Sequence, residues 1–368
     1  MKFSVVTVVY NGEKTLEQTI KSVVNQTYPN IEYIIIDGGS TDKTLEIIKK
    51  YKEKIACVIS EKDEGIYDAM NKGIRMATGD VISFLNSDDW YEQGIFEKLA
   101  YYFESDSTVD IISACPINVY EDKIIPETYW KKDVEEVHFK ILYAHPATFH
   151  KKSLFDTVGL YNTKYKLAAD PDWYLRAHNA GAKYLDVQEW TTYFRKNGAS
   201  SYQLQKVYEE FKDSALNNMG EHESIDMHNK IEKCLNLEIE RAKCQDHFLK
   251  NWKNKLPVFK DKLDRTKKYY IWGCGLHGER CLQLFRALDL DVVAFVESNP
   301  HIEQKENIRV IGPWELDAEC IVVIASLRYE EEIRKKLCEL GAKKELILSF
   351  VEIEKLIMDD EKYETINT

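Results

Sequence analysis

A cluster of polar residues interrupts an apolar segment near position 86. The run VISFL ends at residue 85 and is followed directly by NSDDW, residues 86–90. Asp88 and Asp89 therefore place two carboxylates where a buried strand is expected to reach the surface. This pair suits an ordinary acidic turn, and it also suits a site for a hard cation such as Mg²⁺ or Mn²⁺, which prefers oxygen ligands. The amide oxygen of Asn86 could serve as a further ligand, although it adds no charge.

A second acidic segment, AADPDWYLR at 168–176, offers a candidate general base. Asp170 precedes Pro171, the pattern of an aspartate that caps a helix followed by a proline at the first helical position. The helix dipole would hold such a carboxylate in place and ionised, so Asp170 is expected to be a positioned but not strongly basic group. A carboxylate held in this way could act as a general base. Asp172 is the second candidate for the base, and Arg176 is expected to be a structural partner in the same helix.

These segments belong to a region in which strand and helix patterns alternate. Buried strands are predicted at 3–10, 31–37, 55–60 and 80–86, and helices with apolar residues at helical spacing at 13–28, 44–52 and 67–77. The alternation predicts an α/β unit with a parallel sheet, and ligands of such sheets bind at the carboxyl ends of the strands. Asn11, Asp37, Asp63 and the cluster at 86–89 all fall at or just after strand ends. Their shared edge predicts a binding site.

The length of 368 residues predicts two or three domains. Residues 1–202 form the first α/β unit. Residues 203–266 are rich in Glu, Lys, Asn and Gln with apolar residues at helical intervals, which predicts a helical connector with a solvated face. Residues 267–368 resume the alternation and predict a second, small doubly wound α/β domain.

A glycine-rich turn opens this C-terminal domain. Gly273, Gly275 and Gly278 form a GxGxxG motif between the strand YYIW and a helix, and Glu297 ends the next strand. This spacing allows a tight turn and lets a phosphate approach a helix N-terminus, while the acid can bind a ribose. The segment resembles the small Rossmann-like domains of sugar-nucleotide-modifying enzymes, including the N-terminal part of some sugar acyltransferases. A second nucleotide site and a structural or oligomerising role both stay open.

Composition narrows the class of protein. A net charge of −12 argues against a nucleic-acid binder, which needs basic surface to neutralise phosphates. Eight cysteines without a CxxC pair fit reduced thiols in a cytosolic protein. The first apolar run is too short for a signal peptide, and no stretch reaches the roughly 18 apolar residues of a transmembrane helix. We expect a cytoplasmic protein, with at most peripheral contact at the inner face of the membrane.

Three segments closely resemble the family 2 glycosyltransferases of the GT-A fold. They are the stretches 8–44 (VVYNGEKTLEQ…IIIDGGSTDKT), 61–90 (EKDEGIYDAMNKG…SFLNSDDW) and 168–184 (AADPDWYLRAHNAGAKY). The resemblance implies a GT-A nucleotide-sugar-binding domain that transfers a sugar from a nucleotide-sugar donor, usually a UDP-sugar, with inversion at the anomeric carbon. It also implies a divalent cofactor, Mn²⁺ or Mg²⁺. Such a cation would stabilise the negative charge of the departing nucleoside diphosphate.

The resemblance also assigns roles to the acidic residues. It places the family's metal motif on residues 86–88, with Asn86 where an aspartate is more usual. Asp88 is therefore expected to provide most of the metal binding, and Asp89 either binds the metal or orients the loop. The catalytic base falls on Asp170.

The resemblance places the donor nucleoside over the first strands. The expected donor contacts are Thr7, Val8, Tyr10, Asn11, Asp37, Asp63, Asn71, Asn86 and Ser87. Many relatives carry two consecutive aspartates where this chain has Asp37 and Gly38, and the second often contacts uracil. In the helix that bears Asn71, Asp68 and Lys72 could pair across one turn.

On the acceptor side, the resemblance points to His145, and Asp172, the second candidate for the base, is expected there as well. His150 in the same segment as His145 is expected to be structural. The segment FRKNGASSYQ, with Arg195, Lys196 and Gly198, could close over the diphosphate as a lid or remain a solvated loop.

We therefore expect an inverting glycosyltransferase that moves a sugar from a UDP-sugar to a hydroxyl of a glycan, lipid-linked or protein-linked acceptor in surface polysaccharide or glycoconjugate assembly. A homo-oligomer is expected. A sugar-1-phosphate nucleotidyltransferase would also combine an α/β sheet with metal-binding aspartates, but that family has an arginine-containing glycine loop where this chain has YNGEKT. A non-catalytic nucleotide-sugar-binding regulator is disfavoured by the presence of both Asp88 and Asp170. A sugar-nucleotide-modifying enzyme that uses the C-terminal domain stays open.

Overall fold

The computed structural model describes residues 1–119, 124–126, 136–196, 203–219, 225–259, 263–264, 266–273, 276–298, 300, 303–317, 319–325, 330–350 and 352–353. They divide into two compact units, Met1–Ile239 and Glu240–Thr368. The strands of the first unit are β1 (Phe3–Val9), β2 (Ile31–Asp37), β3 (Cys57–Ser60), β4 (Val81–Phe84), β5 (Trp90–Tyr91), β6 (Ile111–Val119), β7 (Ile124–Pro126), β8 (Thr148–Lys151) and β9 (Tyr184–Arg195). Its helices are α1 (Leu16–Val24), α2 (Thr44–Lys50), α3 (Ile66–Met76), α4 (Ile95–Ser105), α5 (Lys152–Val158), α6 (Ala169–Asn179), α7 (Leu204–Asn217) and the first part of α8 (Ile225–Phe259).

The described strands of the first unit form one mixed sheet. Its order is β3-β2-β1-β4-β8-β6-β9-β5, with β7 beside β6. Strands β1 to β4 run parallel, as the alternating pattern predicts. Strand β8 is antiparallel to both of its neighbours, β4 and β6, and β5 is antiparallel to β9. Strand β6 pairs with β9 in parallel. The predicted parallel arrangement is therefore correct for the first four strands, and the whole sheet is mixed.

Helices cover both faces of this sheet. Val6 and Val8 of β1 pack into one core cluster with residues of α3 and α6, whereas Phe3, Val5 and Val9 pack into another with residues of α1 and α4. Burial on both faces explains why β1 reads as a continuous apolar run. The parallel register places Val9 beside Asp37 and Asp37 beside Ser60, which brings the carboxyl ends of β1, β2 and β3 to one edge.

The predicted helical connector belongs largely to the first unit. Phe211 and Ala215 of α7, together with Ile231 and Leu235 of α8, are buried in the same core cluster as residues of β1 and α6. The division between the two compact units falls after Ile239, within α8. The domain boundaries at 202 and 266 stay a prediction. None of the described helices combines the length and apolar character that a membrane crossing requires.

The second unit has a separate sheet. Its elements after α8 are β10 (Lys268–Trp272), α9 (Leu276–Ala287), β11 (Asp291–Val296), β12 (Gln304–Lys305), β13 (Ile308–Ile311), β14 (Ile321–Ile324), α10 (Glu330–Glu339) and β15 (Ile347–Ser349). The order is β12-β13-β11-β10-β14-β15, and all of these strands except β12 are parallel to their neighbours. Ile271 packs with Phe285 of α9 on one face, and Trp272 packs with Leu337 of α10 on the other. Helices on both faces of a parallel sheet make this the doubly wound unit that the sequence predicts.

Candidate active site

The turn after β1 is held by side chains from the turn after β2. Asn11 has a φ of 53°, in the left-handed region that asparagine tolerates. Its backbone N–H donates to Oγ of Ser40 at 2.8 Å, and its Oδ1 accepts from the backbone N–H of Thr41 at 2.9 Å. Asn11 thereby joins two strand ends, and Tyr10 beside it is 65% exposed.

Two predicted donor contacts lie in the interior of the sheet. Thr7 is fully buried and accepts a hydrogen bond from the hydroxyl of Tyr33 at 3.1 Å. Val8 is buried in the core beside α3. Neither side chain is accessible to a nucleoside, so the prediction that Thr7 and Val8 contact the donor is wrong for their side chains. The accessible part of this segment is the end of β1, at Tyr10 and Asn11.

Asp37 closes the turn after β2. Its carboxylate is buried and accepts hydrogen bonds from the backbone N–H of Ser40 at 3.2 Å and from Oγ of Ser60 at 2.6 Å. These bonds tie the end of β2 to the end of β3, as a turn-forming aspartate does. Asp37 therefore shapes the edge of the sheet, which corrects its assignment as a donor contact.

A carboxylate from the loop after β3 lies against Gly38. Asp63 is partly exposed, and its Oδ1 accepts from the backbone N–H of Gly65 at 3.0 Å. A Cβ placed on residue 38 would collide with Oδ2 of Asp63. Asp63 thus occupies the space in which a second aspartate after Asp37 would begin.

Asn71 of α3 has a structural role in place of the predicted donor contact. Its Nδ2 donates to the carbonyl of Tyr161 at 2.9 Å, and its Oδ1 accepts from the backbone N–H of Tyr161 at 2.9 Å. The side chain is buried and both ends of its amide are engaged. On the same helix, Lys72 pairs with Asp68 at 3.4 Å, and with Glu61 at 2.8 Å.

The loop after β4 holds its two aspartates in different environments. Asp89 is fully buried, and its Oδ1 accepts from the backbone N–H of Arg195 at 2.8 Å. Burial, together with the charge of Asp88, raises the pKa of Asp89 well above its ordinary value. Asp88 is partly exposed; burial raises its pKa, and the Arg195 guanidinium opposes that shift. Asp88 is therefore the accessible carboxylate, and Asp89 anchors the loop to β9, which corrects its assignment as a metal ligand.

Oxygen atoms suited to a hard cation are present in this loop. Oδ1 of Asn86 is buried, with no hydrogen-bond partner among the described residues. It leaves an unpaired acceptor close in sequence to the carboxylate of Asp88. Among the residues that the structure describes, no group of three or more His, Cys, Asp or Glu is arranged to hold a metal. Asn86 and Asp88 fit a cation that takes its other ligands from phosphate and water.

The main chain of this loop is braced by α1. Oγ1 of Thr19 donates to the carbonyl of Ser87 at 3.0 Å and to that of Asp89 at 2.7 Å. A Cβ placed on Gly12 would lie 3.5 Å from Cβ and Oγ of Ser87. The ends of β1 and β4 are therefore neighbours, as the common edge predicts.

Arg195 braces the loop from the side of β9. Its guanidinium donates to the carbonyl of Asp88 and to Oε1 of Gln18, the latter at 2.8 Å. The same group lies over the ring of Trp90, 4.5 Å from its centroid, and Trp90 stacks on Tyr193 with centroids 4.8 Å apart. These contacts fix the guanidinium within the scaffold.

The structure describes only residues 194–196 and 203 of the segment FRKNGASSYQ, for which the sequence leaves a lid and a solvated loop open. Arg195 supports the loop of Asp88 and is not a free group poised over a diphosphate. Nζ of Lys196 lies 4.6 Å from the ring centroid of Phe194. Gly198 lies outside the described residues.

Helix α6 begins at Ala169, so Asp170 is its second residue and not the predicted N-cap. The backbone N–H groups of Leu167 and Ala168, which precede the helix, donate to Oε2 of Glu210 in α7 at 2.7 and 3.1 Å. A carboxylate of α7 thus holds the segment that leads into α6. The carboxylate of Asp170 makes other contacts.

Aromatic and imidazole groups surround the carboxylate of Asp170, and the residue as a whole is partly exposed. The hydroxyl of Tyr67 in α3 donates to Oδ1 of Asp170 at 2.5 Å. Nε2 of His145 lies 2.9 Å from the hydroxyl of Tyr161, and the His145 ring stacks on Phe84 with centroids 5.2 Å apart. Burial lowers the pKa of His145, against the charge of Asp170. His145 is therefore a neutral imidazole next to the candidate base.

Burial raises the pKa of Asp170, and both His145 and the hydrogen bond from Tyr67 oppose that shift. The predicted environment was a helix end that keeps the carboxylate weakly basic. The surrounding protein instead makes Asp170 more basic than an exposed aspartate, because desolvation disfavours the charged form.

Asp172 occupies a different environment two residues further along α6. It is 1% exposed, and its Oδ2 accepts from Nε of Arg176 at 2.9 Å. Its Oδ1 accepts from Oγ of Ser214 at 2.7 Å and from Nδ2 of Asn218 at 3.2 Å. Asp172 therefore fastens α6 to α7, which corrects its assignment to the acceptor side. Arg176 is the structural partner that the sequence predicts.

His150 is buried beneath the site. Its Nε2 lies 3.2 Å from the hydroxyl of Tyr174, and its Nδ1 lies 3.3 Å from the carbonyl of Ile82. Burial lowers the pKa of His150 to about 3, so it is a neutral structural group near pH 7.

The glycine motif of the second unit forms a tight strand-to-helix turn. Gly273 directly follows β10 with a φ of 104°, and a Cβ on Gly278 would collide with the Gly273 carbonyl. Gly275 lies outside the described residues. Glu297 follows β11, and its backbone N–H donates to the carbonyl of Ile311 at 3.0 Å. The turn has the predicted form, and a ligand for it stays a prediction.

The mixed α/β sheet has a GT-A-like architecture, with Asp88 in the loop after β4 and Asp170 at the start of the covering helix α6. Comparison with known proteins agrees. The model of the family described as "Glycosyl transferase family 2" matches residues 4–161. A "PGL/p-HBAD biosynthesis glycosyltransferase" of Mycobacterium bovis (strain BCG / Pasteur 1173P2) is 32% identical over 196 residues, which cover 50% of this chain and 74% of that protein. The chain belongs to the family 2 glycosyltransferases.

Solved structures share the fold at low sequence identity. Residues 1–349 of TarS from S. aureus, in complex with UDP-GlcNAc, superpose with a TM-score of 0.52 at 19% identity, covering 78% of this chain and 79% of that one. The mannosyltransferase PcManGT from Pyrobaculum calidifontis, in complex with GDP-Man and Mn²⁺, gives a TM-score of 0.50 at 16% identity, covering 78% and 80%. A separate model, described as "C2185-like, N-terminal", matches residues 265–348. The protein is a glycosyltransferase that uses a nucleotide-sugar donor.

Proposed function

We propose that this glycosyltransferase moves a sugar from a UDP-sugar to a hydroxyl of its acceptor by direct displacement, with Asp170 as the general base. The observation that carries the proposal is the contact of Asp170, a partly exposed residue at the start of α6, with Tyr67, whose hydroxyl donates to its carboxylate. The acceptor oxygen forms a bond to the anomeric carbon while its proton passes to Asp170. The bond from that carbon to the phosphate oxygen breaks, and its electron pair leaves on the diphosphate. A single displacement of this kind inverts the anomeric configuration.

The raised pKa of Asp170 supports this role. A base works best when its pKa approaches the operating pH, because it then accepts a proton more readily while a useful fraction stays ionised. Burial moves Asp170 in that direction. Asp172, whose two oxygens are engaged by Arg176, Ser214 and Asn218, lacks a comparable free carboxylate.

Asp88 and Asn86 are the residues that would hold Mn²⁺ or Mg²⁺ in this proposal. Such a cation supplies Lewis-acid stabilisation of the charge on the departing diphosphate. The chain contributes one carboxylate and one amide oxygen, and Thr19 and Arg195 hold the loop that bears them. With a single negative charge from this loop, we expect the metal to bind well only together with the nucleotide.

Asp63 is proposed to read the nucleobase. Uracil presents its N3–H as a donor between two carbonyls, and a carboxylate is the matching acceptor. The carboxylate of Asp63 lies against Gly38, at the strand edge where relatives bear their second acid. Guanine also presents ring N–H donors, so GDP-sugars are the competing donors that a screen must include.

The test is a donor screen by release of nucleoside diphosphate from UDP- and GDP-sugars with Mn²⁺, followed by calorimetry. Asp63→Ala is expected to weaken UDP binding about 10- to 100-fold, the worth of a hydrogen bond to a charged group. Glu61→Ala, a change of the exposed carboxylate in the same segment, is the matched control and should leave UDP affinity unchanged. Equal UDP affinity in both variants would contradict the role of Asp63. Tight binding of every donor without release would favour a non-catalytic regulator.

The acceptor in this proposal is a hydroxyl of a glycan or of a lipid- or protein-linked glycoconjugate, in surface polysaccharide or glycoconjugate assembly. Family membership supports a hydroxyl acceptor, and transfer to candidate acceptors with the donor found in the screen tests it. The cytoplasmic location and the homo-oligomer stay predictions from the sequence.

A further inference from the structure

The hydroxyl of Tyr67 makes a side-chain contact that the reaction as described does not use. Tyr67 lies in the first turn of α3 and is buried, and its hydroxyl donates to Oδ1 of Asp170 at 2.5 Å. The two residues are 103 positions apart in the chain. The carboxylate of Asp170 is thus held from a helix other than its own.

Several contacts fix the position of that hydroxyl. The ring of Tyr67 packs against the ring of Tyr161, with centroids 5.5 Å apart. One turn further along α3, the amide of Asn71 exchanges two hydrogen bonds with the main chain of Tyr161, both of 2.9 Å. Because α3 is joined to this segment at two points, Tyr67 has little freedom to move away from Asp170.

We propose that Tyr67 is a positioning residue for the catalytic base: by donating to Oδ1 of Asp170, it fixes the carboxylate plane and leaves Oδ2 to receive the proton of the acceptor hydroxyl. The proposal rests on the assignment of Asp170 as the base. It adds that the segment GIYDAMNKG serves the acceptor reaction as well as bordering the donor edge of the sheet.

Four titratable groups face Asp170 in the described part of the chain, and they differ in what they can do. They are Tyr67 from α3, His145 from the segment before β8, Tyr161 from the segment before α6, and Tyr174 from α6 itself. Burial raises the pKa of each tyrosine above its ordinary value, so all three stay protonated near neutral pH. The hydroxyl of Tyr161 lies against His145 and that of Tyr174 against His150. Tyr67 is the group of the four whose hydroxyl donates to the carboxylate.

The test is a titration of the Asp170 carboxylate in the full chain, by NMR of ¹³Cγ-labelled aspartate, with the resonance assigned by its loss in Asp170→Asn. Tyr67→Phe removes the donor and keeps the ring. Since a hydrogen bond to the charged form lowers a carboxyl pKa, the midpoint of Asp170 should rise by about one pH unit in this variant. Tyr165→Phe is the matched control, because Tyr165 is also buried but its hydroxyl donates to Asp213. An unchanged Asp170 midpoint in Tyr67→Phe would overturn the proposal.

Rate measurements separate this proposal from the assignment of the base. With the donor found in the screen, and water as the acceptor, the acidic limb of the rate of UDP release should move to higher pH in Tyr67→Phe by the same amount as the NMR midpoint. A loss of packing alone would lower the rate without moving the limb. A shifted NMR midpoint with an unshifted limb would overturn Asp170 as the base, and with it the positioning role.

A measurement on the unsubstituted residue covers the case in which Tyr67→Phe does not fold. In the full chain labelled at tyrosine ¹³Cζ, the chemical shift of one resonance should change with pH as Asp170 ionises. That pH dependence should be lost in Asp170→Asn. The absence of any such resonance would contradict a direct hydrogen bond and overturn the proposal.

Discussion

The loop after β4 and the first turn of α6 each contain two carboxylates, and in each pair the two have opposite environments. Asp89 and Asp172 are buried and their oxygens are engaged by neighbouring groups. Asp88 and Asp170 are partly exposed. In both regions one acid secures the scaffold and the other is left accessible. Substitutions in the two pairs should therefore affect different properties, stability for the buried acid and activity for the accessible one.

The largest effect is expected for Asp170→Asn. The amide is the same size and can still accept from Tyr67, but it cannot take a proton, so transfer should fall about 10²- to 10⁴-fold. Release of UDP measures the rate, and calorimetry with UDP should show unchanged affinity. Wild-type turnover with normal donor binding would show that Asp170 is not the base.

Asp88→Asn should reduce activity somewhat less, by about 10²- to 10³-fold, because it removes the charged oxygen that would hold a cation beside the diphosphate. A readout independent of activity is Mn²⁺ binding in the presence of UDP, followed by electron paramagnetic resonance. We expect weaker binding in Asp88→Asn and unchanged thermal stability. Metal-dependent activity equal to that of the wild type would contradict the assignment of Asp88.

Asp172→Ala should instead destabilise the fold. It leaves Arg176 without its charged partner and deprives Ser214 and Asn218 of an acceptor. Breaking a fully buried pair costs about 3–5 kcal/mol, and we expect about 2–4 kcal/mol here because the Arg176 side chain is 23% exposed. Urea unfolding measures the loss. Lys21→Ala is a matched control, since it breaks another i,i+4 pair, with Glu17, that is largely exposed, and it should leave the urea midpoint nearly unchanged.

The sequence predicts the edge of the sheet well and the environment of each acid poorly. Periodicity and strand-end polarity correctly locate β1 to β4 and bring Asn11, Asp63 and Asp88 to one edge. The same signals cannot separate Thr7, inside the strand, from Tyr10 at its end, because a sheet covered on both faces has no polar alternation. The environments depend on partners that are distant in the chain, which local patterns do not reveal.

Helix α6 shows how a distant partner alters a local pattern. The dipeptide Asp170-Pro171 predicts a helix start, yet the helix begins at Ala169, and the segment before it is held by Glu210 of α7, which accepts from the N–H groups of Leu167 and Ala168. Tyr67 is a second example. Its position in the sequence predicts only a residue of the apolar face of α3, and its hydroxyl finds its acceptor, Asp170, only when α6 packs beside α3. The environments of Asp170 and Tyr67 therefore depend on contacts between elements that are distant in the chain.

The smallest effect is expected for Arg195, which connects the members of the first acidic pair. Its guanidinium holds the carbonyl of Asp88 and stacks on Trp90, while its backbone N–H holds Asp89. Arg195→Ala keeps the backbone bond but frees the loop, so Mn²⁺ affinity in the presence of UDP should fall about 10-fold, as for other residues that orient metal ligands. Arg195→Lys keeps the charge and loses the planar fork, and it should not restore affinity. Wild-type Mn²⁺ affinity in Arg195→Lys would contradict this prediction. It would mean that Arg195 supports metal binding at Asp88 through its positive charge and not through the geometry of its hydrogen bonds.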